Sequence, residues 1–445
     1  MEAMPWEILW LNSNELRGPI PPLPADLDIL DISMNSFSGP LPSNFGSRDI
    51  ERLIMFSNNI SGSFPTSMCE LQSLVDLDLS SNALEGEIPQ CFQADTIKYL
   101  LLSNNSLSGE FPMFIQNCTE LVILDLARNM FSGSLPTWVG DLANLEFLLL
   151  GHNMYSGNIP SRRMQLLNLG RNEIITILES NNLSGVMPRY LVNLTSMPLK
   201  GLAPSSNLVN IDPFEHGNYE LPLASQFEEI MPVNIKGQEL KYGHGIRMTV
   251  SVDLSCNRLT GRIPEDISSL DALINLNLSM NELGGNIPEK IGAMQSLESL
   301  DLTNNKLSGE IPPSLSNLTY LVYLNLSYNN LSGRIPSGHQ LDTLNVDNLS
   351  SMYIGNSGLC GPPLENKCQK NDTSTEGSGQ AGELNYYWFG FIVGLIVVLW
   401  AVFCALLFKR AWMVAYFRLL DTMYDKIYVF VVCNRARLFA RATAN

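Results

Sequence analysis

The chain has 445 residues, with 27 Lys and Arg against 44 Asp and Glu and a net charge of −17. So acidic a polypeptide argues against nucleic acid or an anionic membrane surface as its ligand. The sequence holds no glycine-rich phosphate loop, H-E-x-x-H pair, nucleophile elbow or kinase catalytic-loop signature, so it reads as non-enzymatic, with no cofactor and no metal.

The chain opens on "MEAMPWEILWLNSNELRG" and enters directly in mid-repeat, with no basic n-region and no apolar h-region. The first repeat is therefore expected to expose core leucines. Self-similarity follows at once, as in "LVDLDLSSNALEGEIP" (Leu74–Pro89), "LVILDLARNMFSGSLP" (Leu121–Pro136) and "LESLDLTNNKLSGEIP" (Leu297–Pro312). A marker glycine falls at Gly18, Gly39, Gly62, Gly86, Gly109, Gly133, Gly157, Gly185, Gly261, Gly285, Gly309 and Gly333, mostly 23 or 24 residues apart. Period-2 leucines in L-x-x-L-x-L predict a short strand with one face to the core and the intervening residues to solvent. The asparagine that follows (Asn82, Asn129, Asn305) is expected to turn the chain and to satisfy backbone groups of the adjacent coil as a ladder. No unit buries its own leucines, so the coils must stack. The fold expected is an α/β-type solenoid, a leucine-rich-repeat superhelix with short parallel strands on the concave face. The Asp at the middle strand position (Asp31, Asp78, Asp125, Asp253, Asp301) is expected to be a solvated strand residue rather than a cation ligand.

Two stretches break the period. "SRRMQLLNLGRNEIITILE" (Ser161–Glu179) keeps Leu167, Asn168 and Leu169 but loses the spacing, so its coil is expected to be distorted. Residues 197–248 interrupt the repeats altogether, mixing aromatics, acids and two of the four histidines. Four regular units follow, and then a Gly/Pro-rich cap in which Cys360 and Cys368 read as a disulfide. Cys69 and Cys91 stand nearly one repeat apart, so stacking can bring them together. Cys118 reads as a buried small hydrophobe and Cys256 as a thiol at a strand end.

Tyr386 to Phe408 is uncharged and, at ~1.5 Å per residue, long enough to cross a bilayer as a helix. Residues 409–445 carry seven Lys/Arg against two Asp, a net of +5, which leaves −22 for the rest. The segment Asn371–Glu383 before the span is acidic. The positive-inside bias thus predicts a single-pass type I protein of the plasma membrane with its N-terminus outside. N-glycosylation sequons at Asn59, Asn104, Asn117, Asn182, Asn193, Asn317, Asn330, Asn348 and Asn371 agree with a secretory surface; those at Asn277 and Asn325 lie on the strand face, where a glycan would obstruct docking.

Together the N-x-L-S-G-x-I-P repeats, the interruption, the "GNSGLCGPPLENKC" cap, the acidic approach, the single span and the short basic tail resemble a plant leucine-rich-repeat receptor-like protein. The resemblance is to the resistance-protein and elicitor-receptor class without a kinase domain, and it covers essentially the whole chain. Members begin with a signal peptide and a paired-cysteine cap, so the opening reads as N-terminally truncated. The organisation it implies is leucine-rich repeats over 1–196, an island domain over 197–248, repeats over 249–345, a cap over 346–370, a juxtamembrane segment over 371–385, the span 386–408 and a cytoplasmic tail over 409–445. Related islands carry a tyrosine, eight intervening residues and then Lys-Gly; here Phe227 stands at the tyrosine's place before Lys236-Gly237.

The resemblance implies a cell-surface receptor that recognises an extracellular peptide, protein or elicitor in plant defence. Thirty-seven tail residues cannot hold a kinase, so it must signal through associated receptor kinases. Ligand contacts are expected at Lys98, Tyr99, Arg128, Glu146, Phe147 and His152, then Phe214, His216, Tyr219, Phe227 and Tyr242. Met280, Glu298, Tyr323 and Tyr328 are expected to meet the ectodomain of a co-receptor kinase. Gly390 and Gly394, a G-x-x-x-G pair, are expected to pack the span against an adaptor leucine-rich-repeat receptor kinase. The alternatives are a subunit of a developmental peptide receptor, a truncated decoy or nonfunctional copy, and an inhibitor like those that block fungal polygalacturonases; the span and tail count against the inhibitor.

Overall fold

The leucines dictate the coil. In residues 74–82, Leu74, Leu77 and Leu79 are fully buried, while Asp76–Asp78 forms a strand whose alternate side chains leave the core. Stacking is the only way to close the apolar side of such a unit. The structure, a computed structural model, describes residues 7–92, 95–160, 175–188, 232–235, 238–241, 250–338, 340–342, 344 and 350–368. Within them one strand per coil joins a parallel 12-stranded sheet from Ile8–Trp10 to Tyr323–Asn325. The pairing is in phase at every step, as in Asp76↔Tyr99, Leu77↔Leu100 and Asp78↔Leu101. Behind the sheet one continuous apolar core runs from Leu27 to Leu359.

Two features differ from the sequence expectation. The N-x-L-S-G segments form a second parallel sheet of 13 strands, from Arg17–Gly18 to Gly358–Cys360. The return limbs are short 3-10 helices, such as Met113–Asn117, Glu265–Ser269 and Pro313–Asn317, and no α-helix occurs among the described residues. The solenoid is therefore β with 3-10 turns rather than α/β. Each of these helices starts directly after a proline and ends before the next core leucine, which leaves room for a single tight turn.

The asparagine ladder is complete. Asn82 Nδ2 donates to the carbonyls of Met55, Leu79 and Ser80 at 3.0, 3.2 and 3.2 Å, and its Oδ1 accepts the Ile60 N–H at 3.0 Å. One side chain thus answers four backbone groups of two coils that would otherwise be buried without partners. The ladder also crosses the interruption. Asn257 Nδ2 donates to Leu178 O at 2.9 Å and its Oδ1 accepts Leu183 N–H at 3.0 Å. The strand Ile175–Ile177 pairs directly with Ser251–Asp253, so the two repeat blocks form one stack. Between them the described residues comprise one antiparallel pair, Pro232–Ile235 with Gln238–Lys241.

In the irregular coil the inner strand is Ile175–Ile177, not Leu167–Leu169, which lie outside the described residues. Asn181 sets this position, since its amide bonds Leu150 O, Leu178 O and Glu179 O. At the N-terminal end Leu9 and Leu11 stay only partly buried and Leu16 is exposed, as expected of a terminal coil. The C-terminal cap is a last partial coil: Asn356 joins the ladder through Leu331 N–H and Leu326 O, and Leu359 enters the core. Gly355 has φ +81°, and a Cβ there would lie 2.9 Å from Tyr328 Cα, so this position requires glycine. Both expected disulfides, Cys69–Cys91 and Cys360–Cys368, are present.

The span 386–408, with Gly390 and Gly394, lies outside the described residues. No helix among the described residues is long and apolar enough to cross a membrane.

Candidate functional site: the inner face of the repeats

Opposite the core, each strand of the 12-stranded sheet offers two side chains, which stack into two columns. The first column reads Arg52, Asp76, Tyr99, Ile123 and Phe147, and resumes after the interruption as Ser251, Asn275, Ser299 and Tyr323. The second reads Asp31, Ile54, Asp78, Leu101, Asp125, Leu149 and Ile177, then Asp253, Asn277, Asp301 and Asn325.

These side chains are not solvated as expected. Asp31, Asp78, Asp125 and Asp253 are all buried, the last only 1% exposed, and Asp301 is half-buried. Each binds the backbone two residues on: Ser33, Ser80, Ala127, Ser255 and Thr303 N–H groups donate to the respective carboxylates at 2.9–3.0 Å. The aspartates are therefore turn-forming groups. Burial pushes Asp125 and Asp301 up to about 6, Asp78 to about 7 and Asp253 to about 8; neighbouring Asp125 and Asp31 add to the rise at Asp78, and Glu179 to that at Asp253.

Between coils 99 and 177 the face is apolar except for Asp125. Tyr99, Leu101, Val122, Ile123, Phe147, Leu149 and Ile177 form a cluster of their own, separate from the core. At its N-terminal border the Arg52 guanidinium lies 3.2 Å from Asp76. At the other border the face turns polar: Asn275 donates to Ser251 at 2.8 Å, Asn277 to Asp253 at 2.9 Å, and Tyr323 OH to Asp301 at 3.1 Å.

A rim flanks the sheet, and it was not foreseen. The residue before each ladder asparagine is left-handed, and except at Gly355 it is not glycine: Met34, Arg128, His152, Cys256, Met280 and Tyr328 have φ between +52° and +56°. Such φ values are strained for these residue types, and only the stacked backbone can hold them in a column. The repeat's own position, just before the ladder asparagine, was the available signal.

The expected ligand residues divide accordingly. Tyr99 and Phe147 belong to the apolar cluster, and Glu146 is buried beside it, so these three do not stand out into solvent. Lys98 and Arg128 are exposed, and His152 lies on the rim with Nε2 3.2 Å from Glu179. Phe214, His216, Tyr219, Phe227 and Tyr242 lie outside the described residues. Of the expected co-receptor residues, Tyr328 is 59% exposed, Glu298 and Tyr323 are half-buried, and Met280 sits on the rim with Sδ 3.3 Å from the Cys256 thiol. Cys118 is buried, and burial pushes its thiol up to about 12, which makes it inert as a nucleophile. Among the described sequons Asn59, Asn104, Asn117, Asn317 and Asn330 are exposed and Asn182 half-buried; Asn193, Asn348 and Asn371 lie outside the described residues. The amides of Asn277 and Asn325 are committed to inner-face hydrogen bonds.

The Leucine Rich Repeat family model matches residues 26–47, 73–94, 96–118, 120–142, 249–270, 296–318 and 320–340. A curated relative, Cuscuta receptor 1 of Solanum lycopersicum, is 33% identical over 92 residues. The chain is built of leucine-rich repeats and is similar to plant leucine-rich-repeat receptors. Its repeat stack is similar to two solved plant ectodomains. The Arabidopsis receptor kinase HAESA with a peptide hormone ligand is 31% identical with a TM-score of 0.56, covering 82% of this chain and 55% of that one. The plant peptide hormone receptor RGFR1 in complex with RGF2 is 28% identical, also with a TM-score of 0.56, covering 74% and 48%. HAESA is also solved with the hormone IDA and the co-receptor SERK1, at 28% identity and a TM-score of 0.50, covering 79% and 62%. The match to the Cuscuta receptor spans 19% of this chain and 8% of that receptor, so the chain represents only part of the length of these relatives.

Proposed function

We propose that this receptor-like protein binds an extracellular peptide, protein or elicitor on the inner face of its repeats, in plant defence, and passes the signal to associated receptor kinases. The apolar cluster from Tyr99 to Ile177 carries the reading. An apolar group on the non-core side of a repeat sheet adds nothing to the stacking of the leucines, and it suits partner binding. The similar ectodomains of HAESA and RGFR1, solved with peptide hormones, support a ligand of that kind. The full chain, displayed on plant cells, is the material to test. Synthetic peptides from defence elicitors should bind it, and combined alanine changes at Tyr99, Phe147 and Tyr219 should abolish binding at matched surface level while the repeats, though less stable, still unfold cooperatively. Unchanged binding would remove the site from the inner face.

The four last repeats recruit a co-receptor ectodomain in this reading, through Met280, Glu298, Tyr323 and Tyr328; the HAESA complex with SERK1 supports such a partner. The span 386–408 anchors the protein in the plasma membrane, and the acidic segment before it selects a basic partner. Gly390 and Gly394 seat an adaptor kinase helix. Replacing both by Leu keeps insertion and lowers kinase co-precipitation about five- to thirty-fold, given packing contributions of ~1–2 kcal/mol in lipid. Equal kinase recovery from both proteins at matched surface level would remove the glycines from the pairing.

A further inference from the structure

Large apolar side chains stand out into solvent at a few places on the outside of the repeats. The four most exposed among the described residues are Val186 at 65%, Met113 at 63%, Tyr328 at 59% and Tyr320 at 54%. Each lies within four residues of a sequon asparagine: Asn182, Asn117, Asn330 and Asn317 respectively. The next two, Met154 and Ile354, have no sequon that near. None of the four belongs to the core or to the inner-face cluster.

Local structure brings asparagine and apolar group together. In the strand Asn182–Val186, Leu183 enters the core, so alternation turns Asn182, Ser184 and Val186 outward along about 13 Å of strand. Val186 lies over Gly261 of the next coil, where a Cβ would come 2.9 Å from its Cγ1, and the rest of it is open. The same position holds Glu110, Ser134, Asn158 and Arg262 in other coils, so the repeat itself asks for no valine there. Asn317 ends the 3-10 helix Pro313–Asn317, and Tyr320 follows in the turn that leads to Leu321. Its counterparts in other coils are Glu120, Asn144 and Ser296. Met113 and Asn117 are the first and last residues of one 3-10 helix.

Exposed apolar surface marks a contact, and a contact with the chain's own sugars needs no second molecule. The ring of N-acetylglucosamine carries C–H groups on its faces and an acetamido methyl. Tethered beside the side chain, it gives up little freedom on packing there. A docking protein would have to fit around bulky sugars at the same points.

We propose that N-linked sugars on Asn117, Asn182 and Asn317 pack over Met113, Val186 and Tyr320 and complete the outer surface of the repeats, closing these three patches to partners. The inference rests on the reading of the chain as an extracellular receptor and gives its sugars a place in the surface. Tyr328, beside Asn330, keeps the co-receptor role proposed above.

The test uses the full chain made in plant cells treated with kifunensine, so that its glycans are of the high-mannose type and peptide N-glycosidase removes them from the folded protein. Glycopeptide mass spectrometry should find Asn117, Asn182 and Asn317 occupied. Hydroxyl-radical footprinting then reports exposure side chain by side chain. Removing the sugars should raise the labelling of Met113, Val186 and Tyr320 several-fold and leave Met154 unchanged. Three variants destroy one sequon each and spare its asparagine. Thr119→Ala should raise Met113 alone, Ser184→Ala Val186 alone and Thr319→Ala Tyr320 alone. The enzymatic step needs only folded wild-type protein and stays decisive where a variant fails to fold. Bare asparagines at the three sites would overturn the proposal, and so would labelling that the sugars leave unchanged. Protection that extends to Met154 would mean general shielding rather than contact, and would overturn it too. Sugars present without protection remove this inference and leave the receptor reading. A chain with no sugar on any sequon removes both.

Discussion

The two halves of the inner face solve the same problem differently. Before the interruption the second column alternates acid and aliphatic from Asp31 through Ile54, Asp78, Leu101 and Asp125 to Leu149, and ends on a second aliphatic, Ile177. After it the column alternates acid and amide: Asp253, Asn277, Asp301, Asn325. Both patterns hold carboxylates two strand spacings apart, about 10 Å, and so limit repulsion between buried charges. The aliphatic spacer builds a buried apolar cluster, whereas the amide spacer fills the face with its own hydrogen bonds, as in Asn277 to Asp253. The first half thus closes its face by apolar packing and the second by hydrogen bonds between side chains.

The strongest way to break the comparison is to uncouple the halves. Asn257→Ala leaves Leu183 N–H and the carbonyls of Leu178, Leu254 and Ser255 without their side-chain partner. We expect a loss of about 3 kcal/mol or more, since several buried backbone groups go unsatisfied together. Denaturant unfolding should then show two transitions where wild type shows one; a single unshifted transition would mean the blocks never depended on this junction.

Next in size is the Cys69–Cys91 bridge, which closes a loop of 22 residues in the first half. Chain-entropy arguments give about 3 kcal/mol for its removal and about 2.5 kcal/mol for the shorter Cys360–Cys368 loop. Paired serine variants compared by urea unfolding give the order, and a larger loss at the cap would contradict the loop argument.

Single substitutions sharpen the contrast further. Phe147→Ala should cost about 2–3 kcal/mol, because a buried ring leaves a cavity in the apolar cluster, and ligand binding should go with it. Tyr323→Ala forfeits a hydrogen bond to Asp301 worth about 1 kcal/mol and should weaken co-receptor association while sparing the ligand. Melting curves and two separate binding assays read both; equal loss of ligand in the two variants would erase the division of labour.

A pH dependence is shared by both halves. Their aspartates have folded-state pKa values raised by burial above the ordinary 3.8, to about 6 at Asp125 and about 8 at Asp253. The folded chain therefore holds more protons than the unfolded one across this window, and stability is full below pH 4 and falls as pH rises towards 8. The melting temperature should be higher at pH 5 than at pH 8. Asp253→Asn should flatten that slope, and the stack should accept it, because Asn277 and Asn325 occupy the same position in later coils. Melting temperatures rising from pH 5 to pH 8 would mean that the buried carboxylates do not govern the profile.

By itself the sequence determined the repeat, its core leucines, the asparagine ladder, the disulfide of the cap and the place of the interruption, and it allowed Cys69 to meet Cys91. All of these follow from local spacing, because each coil repeats one pattern and touches only its neighbours. The burial of the inner aspartates was not legible, since L-x-x-L-x-L says only which side chains enter the core and not how tightly the other face closes. Nor could spacing show that Leu183 and Asn257, separated by 74 residues, stand 3.0 Å apart, or that Asn356 of the cap is a thirteenth rung. The left-handed rim through Arg128, His152 and Tyr328 is set by stacked backbones against the preference of each side chain. Tertiary structure also chose which of six inner-strand aspartates keeps an unpartnered oxygen. Asp76 occupies the first strand position, where Arg52 reaches one oxygen from the coil before, whereas Asp31, Asp78, Asp125, Asp253 and Asp301 occupy the last position and turn onto their own backbone.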